Sequence, residues 1–280
     1  MAQIQPDVHL IEYSQAANTG IKIYTFAARY WRPIHAEVMT HRKFGRNARS
    51  SRAVPNKVLL NEPIVEPLIY GSNRPGMSAG AELTGWRRFA ARAVWLGTAH
   101  MTRVSVRLLN WIGLHKQWSN RPLEWFGCID VLITTTDLEN WYALRISGFA
   151  QPEIQELAKA MRDEVALSSP RILEPGEWHL PYVKASERKT LELEVQRRLS
   201  VARCARLSYK PFDGKDTMEA EMARYEKLVV NQPVHASPAE HQATPDGQAV
   251  NGAFSLPHLH GNLRGWIQYR KMLPNEWIPN

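Results

Sequence analysis

Residues 40–53 read THRKFGRNARSSRA. Six of these fourteen positions are basic, counting His41, and none is acidic. Asn47, Ser50 and Ser51 supply small polar groups among the charges. Three chemistries suit such a stretch: a solvated loop, an arm for nucleic acid, or the lining of a pocket for a small polyanion. Guanidinium forks match phosphate and carbonyl oxygens. Serine hydroxyls and loop N–H groups add neutral phosphate donors. A nucleic-acid arm usually adds aromatics for base stacking. Phe44 is the one aromatic inside the run, so nucleic acid is not the favoured partner. The set suits a nucleotide phosphate held in a turn.

The rest of the chain sets bounds on this reading. It has 280 residues, 44% of them hydrophobic, which is enough for a substantial core in one or two domains. Its net charge of +8 favours an anionic partner. No apolar run is long enough to cross a membrane, and MAQIQPDVHL does not read as a secretory leader. Cys128 and Cys204 are the only two cysteines, which points to a reducing, cytoplasmic setting without disulfides. His258 and His260 make a tempting pair, but no further ligand lies near at metal-binding spacing, so no metal is expected.

Local patterns predict mostly helix. Residues 20–30 alternate as a strand that Pro33 ends, and a helix or turn follows through IHAEVMTHR. Residues 53–78, rich in Pro, Asn and Gly, read as loop. Helical periodicity runs through 79–112, 136–146, 150–167, 186–203 and 216–230. Residues 168–185 read as a connection. The tail from 232 reads as irregular, with one short helix at 262–272. The expected fold class is α+β, with helices packed on a small, mostly antiparallel sheet in a single domain over 1–280.

The spacing of the opening stretch resembles the signature of the flavin-dependent thymidylate synthases. That family carries Arg-His-Arg, seven residues, then Ser, with Asn-Glu before the Ser and Arg two after it. His41, Arg42, Asn47, Ser50 and Arg52 match. Thr40 stands in place of the first Arg, Ala48 in place of the Glu, and Glu37 where the family has a Gln. A second resemblance is NWYALRISGFAQPEI at 140–154, where Asn140, Arg145, Ala150, Gln151, Glu153 and Ile154 fit and Phe149 replaces a His. A third lies out of order. ARCARLSY at 202–209 and then HASPAEH at 235–241 look like the family's N-terminal segment, with His235, Ser237, Pro238, Glu240 and His241 in register. A circular permutation placing 202–245 after the other motifs is the simplest explanation, with a duplicated and decayed copy as the alternative.

The resemblance implies an enzyme that moves a one-carbon unit from 5,10-methylenetetrahydrofolate to carbon 5 of dUMP. FAD and NADPH provide the reduction, and sites are built across a homotetramer. It implies that Ser50, Ser51 and Arg52 hold the substrate phosphate and that Arg145 polarises the pyrimidine. Arg121 is a candidate phosphate contact, although Lys116 and His115 replace the family's Arg-Glu pair there. His41, Arg42, Asn47, Asn140, His235, Ser237 and Glu240 would line the flavin, with Arg264, Gln268 and Arg270 behind them. Glu37 is an acceptor when ionised, unlike the amide it replaces, and would suit the amine of cytosine. Another deoxypyrimidine monophosphate such as dCMP is therefore the alternative substrate. A basic nucleic-acid-binding protein on a decayed scaffold is the alternative class.

Overall fold

The computed structural model describes residues 4–207, 214, 217–248, 251–274 and 276. Its centre is a five-stranded sheet in the order β3-β4-β2-β1-β5. The strands are β1 (Asp7–Ala16), β2 (Lys22–Trp31), β3 (Gly45–Ala48), β4 (Cys128–Thr135) and β5 (Arg171–Leu173). All pairings are antiparallel except β1 with β5. A second sheet pairs β6 (Ala243–Pro245) with β7 (Trp266–Gln268). The helices are α1 (His35–Met39), α2 (Asn56–Asn61), α3 (Gly85–Ile112), α4 (Lys116–Ser119), α5 (Glu139–Arg145), α6 (Pro152–Ala166), α7 (Ala185–Thr190), α8 (Leu193–Arg206), α9 (Met218–Tyr225) and α10 (Tyr269–Met272). The α+β expectation holds.

Both faces of the sheet are covered. Phe26, Ala28 and Tyr30 of β2 and Ile129, Val131 and Ile133 of β4 pack against Ile154, Leu157 and Met161 of α6. On the other face Leu132 meets Tyr182 and Cys204. That second face also buries a polar chain. His179 bonds Ser14 at 2.9 Å and Thr25 at 2.8 Å, Thr25 bonds Thr134 at 2.6 Å, and Thr134 bonds His241 at 2.8 Å. Each link satisfies a group whose burial alone would be costly.

Several sequence expectations need correction. CIDVLITT forms β4, which carries no local alternation to detect, because Val131, Leu132 and Ile133 are consecutive apolar residues and the strand is buried on both faces. β1 was also missed. Its register shifts between Leu10 and Glu12, so Val8 and Leu10 pack on one face while Ser14 meets His179 on the other. Such a bulge reverses the phase of a strand's pattern. The stretch expected as loop holds α2, and the stretch expected as a connection holds β5. The long helix begins at Gly85 rather than 79. Residues 262–272 form β7 and the one-turn α10 instead of a helix. Ala202–Arg206 are helical, the end of α8, while Ser208 and Tyr209 of the third resemblance lie outside the described residues. Residues 45–48 of the basic stretch are strand β3, so the motif is not a simple turn.

Candidate functional site

α1 ends where the basic stretch begins. The Thr40 hydroxyl donates to the Glu37 carbonyl at 2.6 Å, and the His41 N–H donates to Val38 at 3.2 Å. The chain then turns into β3. The His41 ring packs against Phe44, with centroids 5.5 Å apart, and meets the Trp141 ring edge-on at 4.6 Å. α5 supplies Trp141, and at its last turn Arg145, where a cation is favoured by the helix dipole. Arg145 Nε donates to His41 Nε2 at 2.8 Å, and Arg145 Nη2 donates to Thr40 Oγ1 at 3.3 Å. Arginine only donates, so His41 must accept with Nε2 and carry its proton on Nδ1. Burial, with Arg145 and Arg46 adding to it, lowers the His41 pKa to about 4. His41 is therefore neutral at pH 7.

These residues enclose a cleft of about 180 Å³ lined by Thr40–Phe44, Asp137, Asn140, Trp141, Leu144 and Arg145. Arg42 and Lys43 are exposed at its rim. Among the described residues, Arg42, Lys43 and Arg145 enter no ion pair. Three cations against the single carboxylate of Asp137 give the cleft a net positive charge over an aromatic floor, which suits an anionic group attached to a ring.

The other end of the basic stretch lies elsewhere. Through β3, residues 44 and 49 are about 17 Å of extended chain apart. Ser50 faces a larger cavity, about 610 Å³, against the second face of the sheet. Apolar side chains including Ala27, Leu132 and Tyr182 line that cavity, and polar groups gather at one side. There Arg29 bonds Asp130 at 2.9 Å, and Arg49 reaches Asp130 at 2.7 Å and Glu62 at 3.0 Å. Ser51 is buried and donates to Glu124 at 2.5 Å. Arg121 pairs with the same carboxylate at 3.2 Å, and Arg52 is exposed. The Asn47 amide donates to the Cys204 carbonyl at 2.8 Å, tying β3 to α8. Glu37 is exposed on α1 and lines neither cavity.

The third stretch returns to β3. Ser237–Glu240 form a 3-10 turn, with Glu240 3.5 Å from the Cβ position of Gly45. Arg270 bonds the Glu240 carboxylate, and Gln268 donates to its carbonyl at 3.1 Å. Asn262, which the sequence reading left aside, donates to the Lys43 carbonyl at 2.9 Å beside the cleft. The run Asn262-Leu263-Arg264 is the signal that could have found it, since the second motif of the family resembled above contains Asn-Leu-Arg. His241 is fully buried, and His235 is exposed. Phe44 and Trp141, which frame His41, had no sequence signal beyond their aromatic character. His260 bonds Asp246 at 2.8 Å, and no group placed to hold a metal ion occurs among the described residues. No helix among them is long and apolar enough to cross a membrane.

The site thus defined is a cationic, aromatic-floored cleft at the edge of an α+β sheet, with a larger cavity on the sheet's second face. No family model matches the chain, and no curated protein matches it. Among solved structures, a UMP/dUMP methylase, PolB, from Streptomyces cacaoi resembles it. Bound with 5-Br UMP, that protein matches with a TM-score of 0.48 at 13% identity, over 59% of this chain and 90% of its own. Bound with 5-Br dUMP, it matches with a TM-score of 0.48 at 15% identity, over 59% of this chain and 91% of its own.

Proposed function

We propose that this protein is an enzyme that transfers a one-carbon unit to carbon 5 of a pyrimidine nucleoside monophosphate, with dUMP as the first substrate to test. The observation that carries the reading is the Arg145–His41 contact, which joins the first two motif stretches in one cleft. Arg42 and Lys43 at the rim would bind phosphate oxygens, and Asn140 would hydrogen-bond a ring edge. Arg145, held by His41 and Thr40, would stabilise charge that builds on a ring oxygen when hydride reaches the base. Holding the reactants in near contact is the larger part of the protein's task.

We include FAD, NADPH and 5,10-methylenetetrahydrofolate in the proposal, because the cations at the cleft, Arg42, Lys43 and Arg145, suit an anionic ligand, whether the diphosphate of FAD or the nucleotide phosphate. A bound FAD would supply the hydride that reduces the transferred methylene to methyl. Neither cysteine is built as a nucleophile. Burial raises the Cys128 thiol to about 11 and the fully buried Cys204 thiol higher still. The dCMP alternative rested on Glu37, whose exposed position gives it no support within one chain. A homo-oligomer would let Ser50 and Arg52 of one chain approach the cleft of another.

The test is a visible spectrum of the purified protein before and after addition of FAD and desalting, repeated with dUMP and with dCMP. A retained flavin band that shifts with dUMP supports the proposal. A colourless protein that fails to hold FAD with nucleotide present rejects it, and steep salt-dependent DNA binding would then favour the nucleic-acid reading.

A further inference from the structure

We infer that the outward face of α3 docks on an anionic lipid surface, with the helix lying along that surface rather than crossing it. α3 is a 28-residue helix, about 42 Å long. Trp86 and Phe89 are each 76% exposed at one end, and Trp111 is 84% exposed at the other. Val94, Met101, Leu108 and Ile112 continue the apolar stripe between and beside them. At roughly 150–250 Å² for an aromatic side chain, the stripe exposes on the order of 1,000 Å². Contiguous apolar surface beyond a few hundred Å² marks a contact with another protein or with a membrane. Indole rings, apolar in body with one polar N–H, settle at the level of lipid head groups, and here they stand at both ends of the stripe.

The charge on the helix decides the kind of partner. α3 carries five arginines and one histidine and no acidic residue. Three of the arginines turn back onto the chain: Arg88 pairs with Glu82 at 3.0 Å, Arg92 pairs with Glu66 at 2.6 Å, and Arg103 bonds the Glu62 carbonyl. Arg87 and Arg107 are exposed and enter no ion pair among the described residues, and His100 is exposed between them. Helical spacing sets His100 and Arg107, seven residues apart, along one border of the stripe. It sets Arg87 along the other border, where its guanidinium lies 5.9 Å from the Trp86 ring centroid. An apolar stripe bordered by cations is the pattern of a helix that lies in a membrane interface. A second copy would answer none of this charge, since two such helices face to face have no carboxylate between them for Arg87 or Arg107. Anionic head groups answer it on both borders.

A groove beside the stripe is the second observation. It holds about 310 Å³ and is lined by Ala91, Val94, Trp95, Thr98, Trp125 and Phe126. The Thr98 hydroxyl donates to the Val94 carbonyl at 2.9 Å, and the Trp95 indole N–H donates to the Val65 carbonyl at 2.8 Å, so neither is spent on the groove. What remains is an apolar, aromatic channel that shares Val94 with the stripe. Its chemistry suits the acyl chain of a lipid whose head group meets Arg87.

The test is flotation of the full chain with vesicles of phosphatidylcholine alone and with vesicles that also hold about 30% phosphatidylserine. The chain should bind the mixed vesicles at least about tenfold more tightly, since each basic residue at an anionic surface strengthens binding about fivefold. Trp86→Ser with Trp111→Ser should remove the binding while the helical circular dichroism is kept. Arg87→Gln with Arg107→Gln should weaken it about 25-fold. Lys22→Gln with Lys189→Gln, the same loss of charge at exposed positions outside α3, should change it little. A chain that does not float with the mixed vesicles overturns the inference, as does a Trp86 and Trp111 double variant that floats as well as the unmodified protein. An equal loss in the two charge variants overturns it too, because net charge alone would then carry the binding. A chain that ignores vesicles but sediments as a dimer, with the mass halved by the two tryptophan substitutions, would assign the face to a second copy instead.

Discussion

Arg145 and His41 are 104 residues apart in sequence and meet at 2.8 Å, Nε to Nε2. The contact settles three things at once. It fixes the His41 tautomer, it adds to the burial that keeps the imidazole neutral, and it holds the guanidinium at the cleft. Removing Arg145 therefore removes both a charge and the group that orients its neighbour.

Arg145→Ala should lower kcat/KM for the nucleotide about 100-fold, the usual loss when one donor to a developing oxyanion is removed. Arg145→Lys should recover little of it. Lysine keeps the charge but cannot serve His41 and Thr40 with one planar fork. Steady-state kinetics of both variants decide this, and an Arg145→Ala enzyme of ordinary efficiency would remove the residue from the reaction.

The adjacent serines should separate. Ser51 is buried and bonded to Glu124, which Arg32 and Arg121 also hold, so Ser51→Ala should cost about 1 kcal/mol of stability through the one hydrogen bond it loses. Ser50 is exposed at the larger cavity, so Ser50→Ala should alter stability by no more than about 0.5 kcal/mol. If Ser50 binds the substrate phosphate, its variant raises KM while Ser51→Ala does not. Urea melts and initial rates on the two variants make the comparison.

Acid should weaken the fold before ordinary carboxylates titrate. Burial lowers the His41 pKa to about 4, that of His241 to about 3, and that of His179 well below its ordinary 6.5. Each binds its proton more readily once unfolded. The stabilisation is therefore complete above pH 6.5 and is lost as pH falls through the window toward the folded values. Glu12, pushed up by burial despite Arg188 and Arg171, works in the opposite direction. Urea midpoints should be flat from pH 8 to about 7 and fall from 6.5 to 4.5. His241→Asn should start lower at pH 7 and fall less steeply, and an equal slope would clear His241 of the effect.

Gly265→Ala should destabilise more than Gly113→Ala. Both glycines have positive φ, +80° and +93°, which costs another residue about 1–2 kcal/mol. At Gly113 a Cβ meets nothing within 4 Å, whereas at Gly265 it would sit 2.7 Å from Ile21 and 3.3 Å from the Phe254 ring. Thermal melts of the pair should order them so, and the reverse order would mean that the Ile21 side chain yields without cost.

Much of the cleft could be read from the sequence because its groups come in short, ordered runs. The resemblance of these runs to a family signature singled out His41, Arg42, Asn140 and Arg145, and the structure brings them together. The same resemblance assigned Asn47 and Ser51 to ligands, and here the Asn47 amide donates to the Cys204 carbonyl and the Ser51 hydroxyl to Glu124. A sequence shows that a donor exists but does not show which acceptor will take it. Asn262 illustrates the converse, since its use depends on β7 and α10 carrying it back to Lys43.

The sequence by itself determined the α+β class, the long helix through residue 112, a strand at about residues 20–30 and the concentration of positive charge at 40–53. These follow from local periodicity and composition, which act within a turn or a strand. Only the tertiary structure decided that the basic stretch becomes an edge strand, with a cleft at one end and a separate cavity at the other. The same holds for β4, for the phase reversal in β1 and for the return of Glu240 to Gly45. Each of these depends on hydrogen bonds or packing between residues far apart in the chain, and no local pattern encodes such a partner.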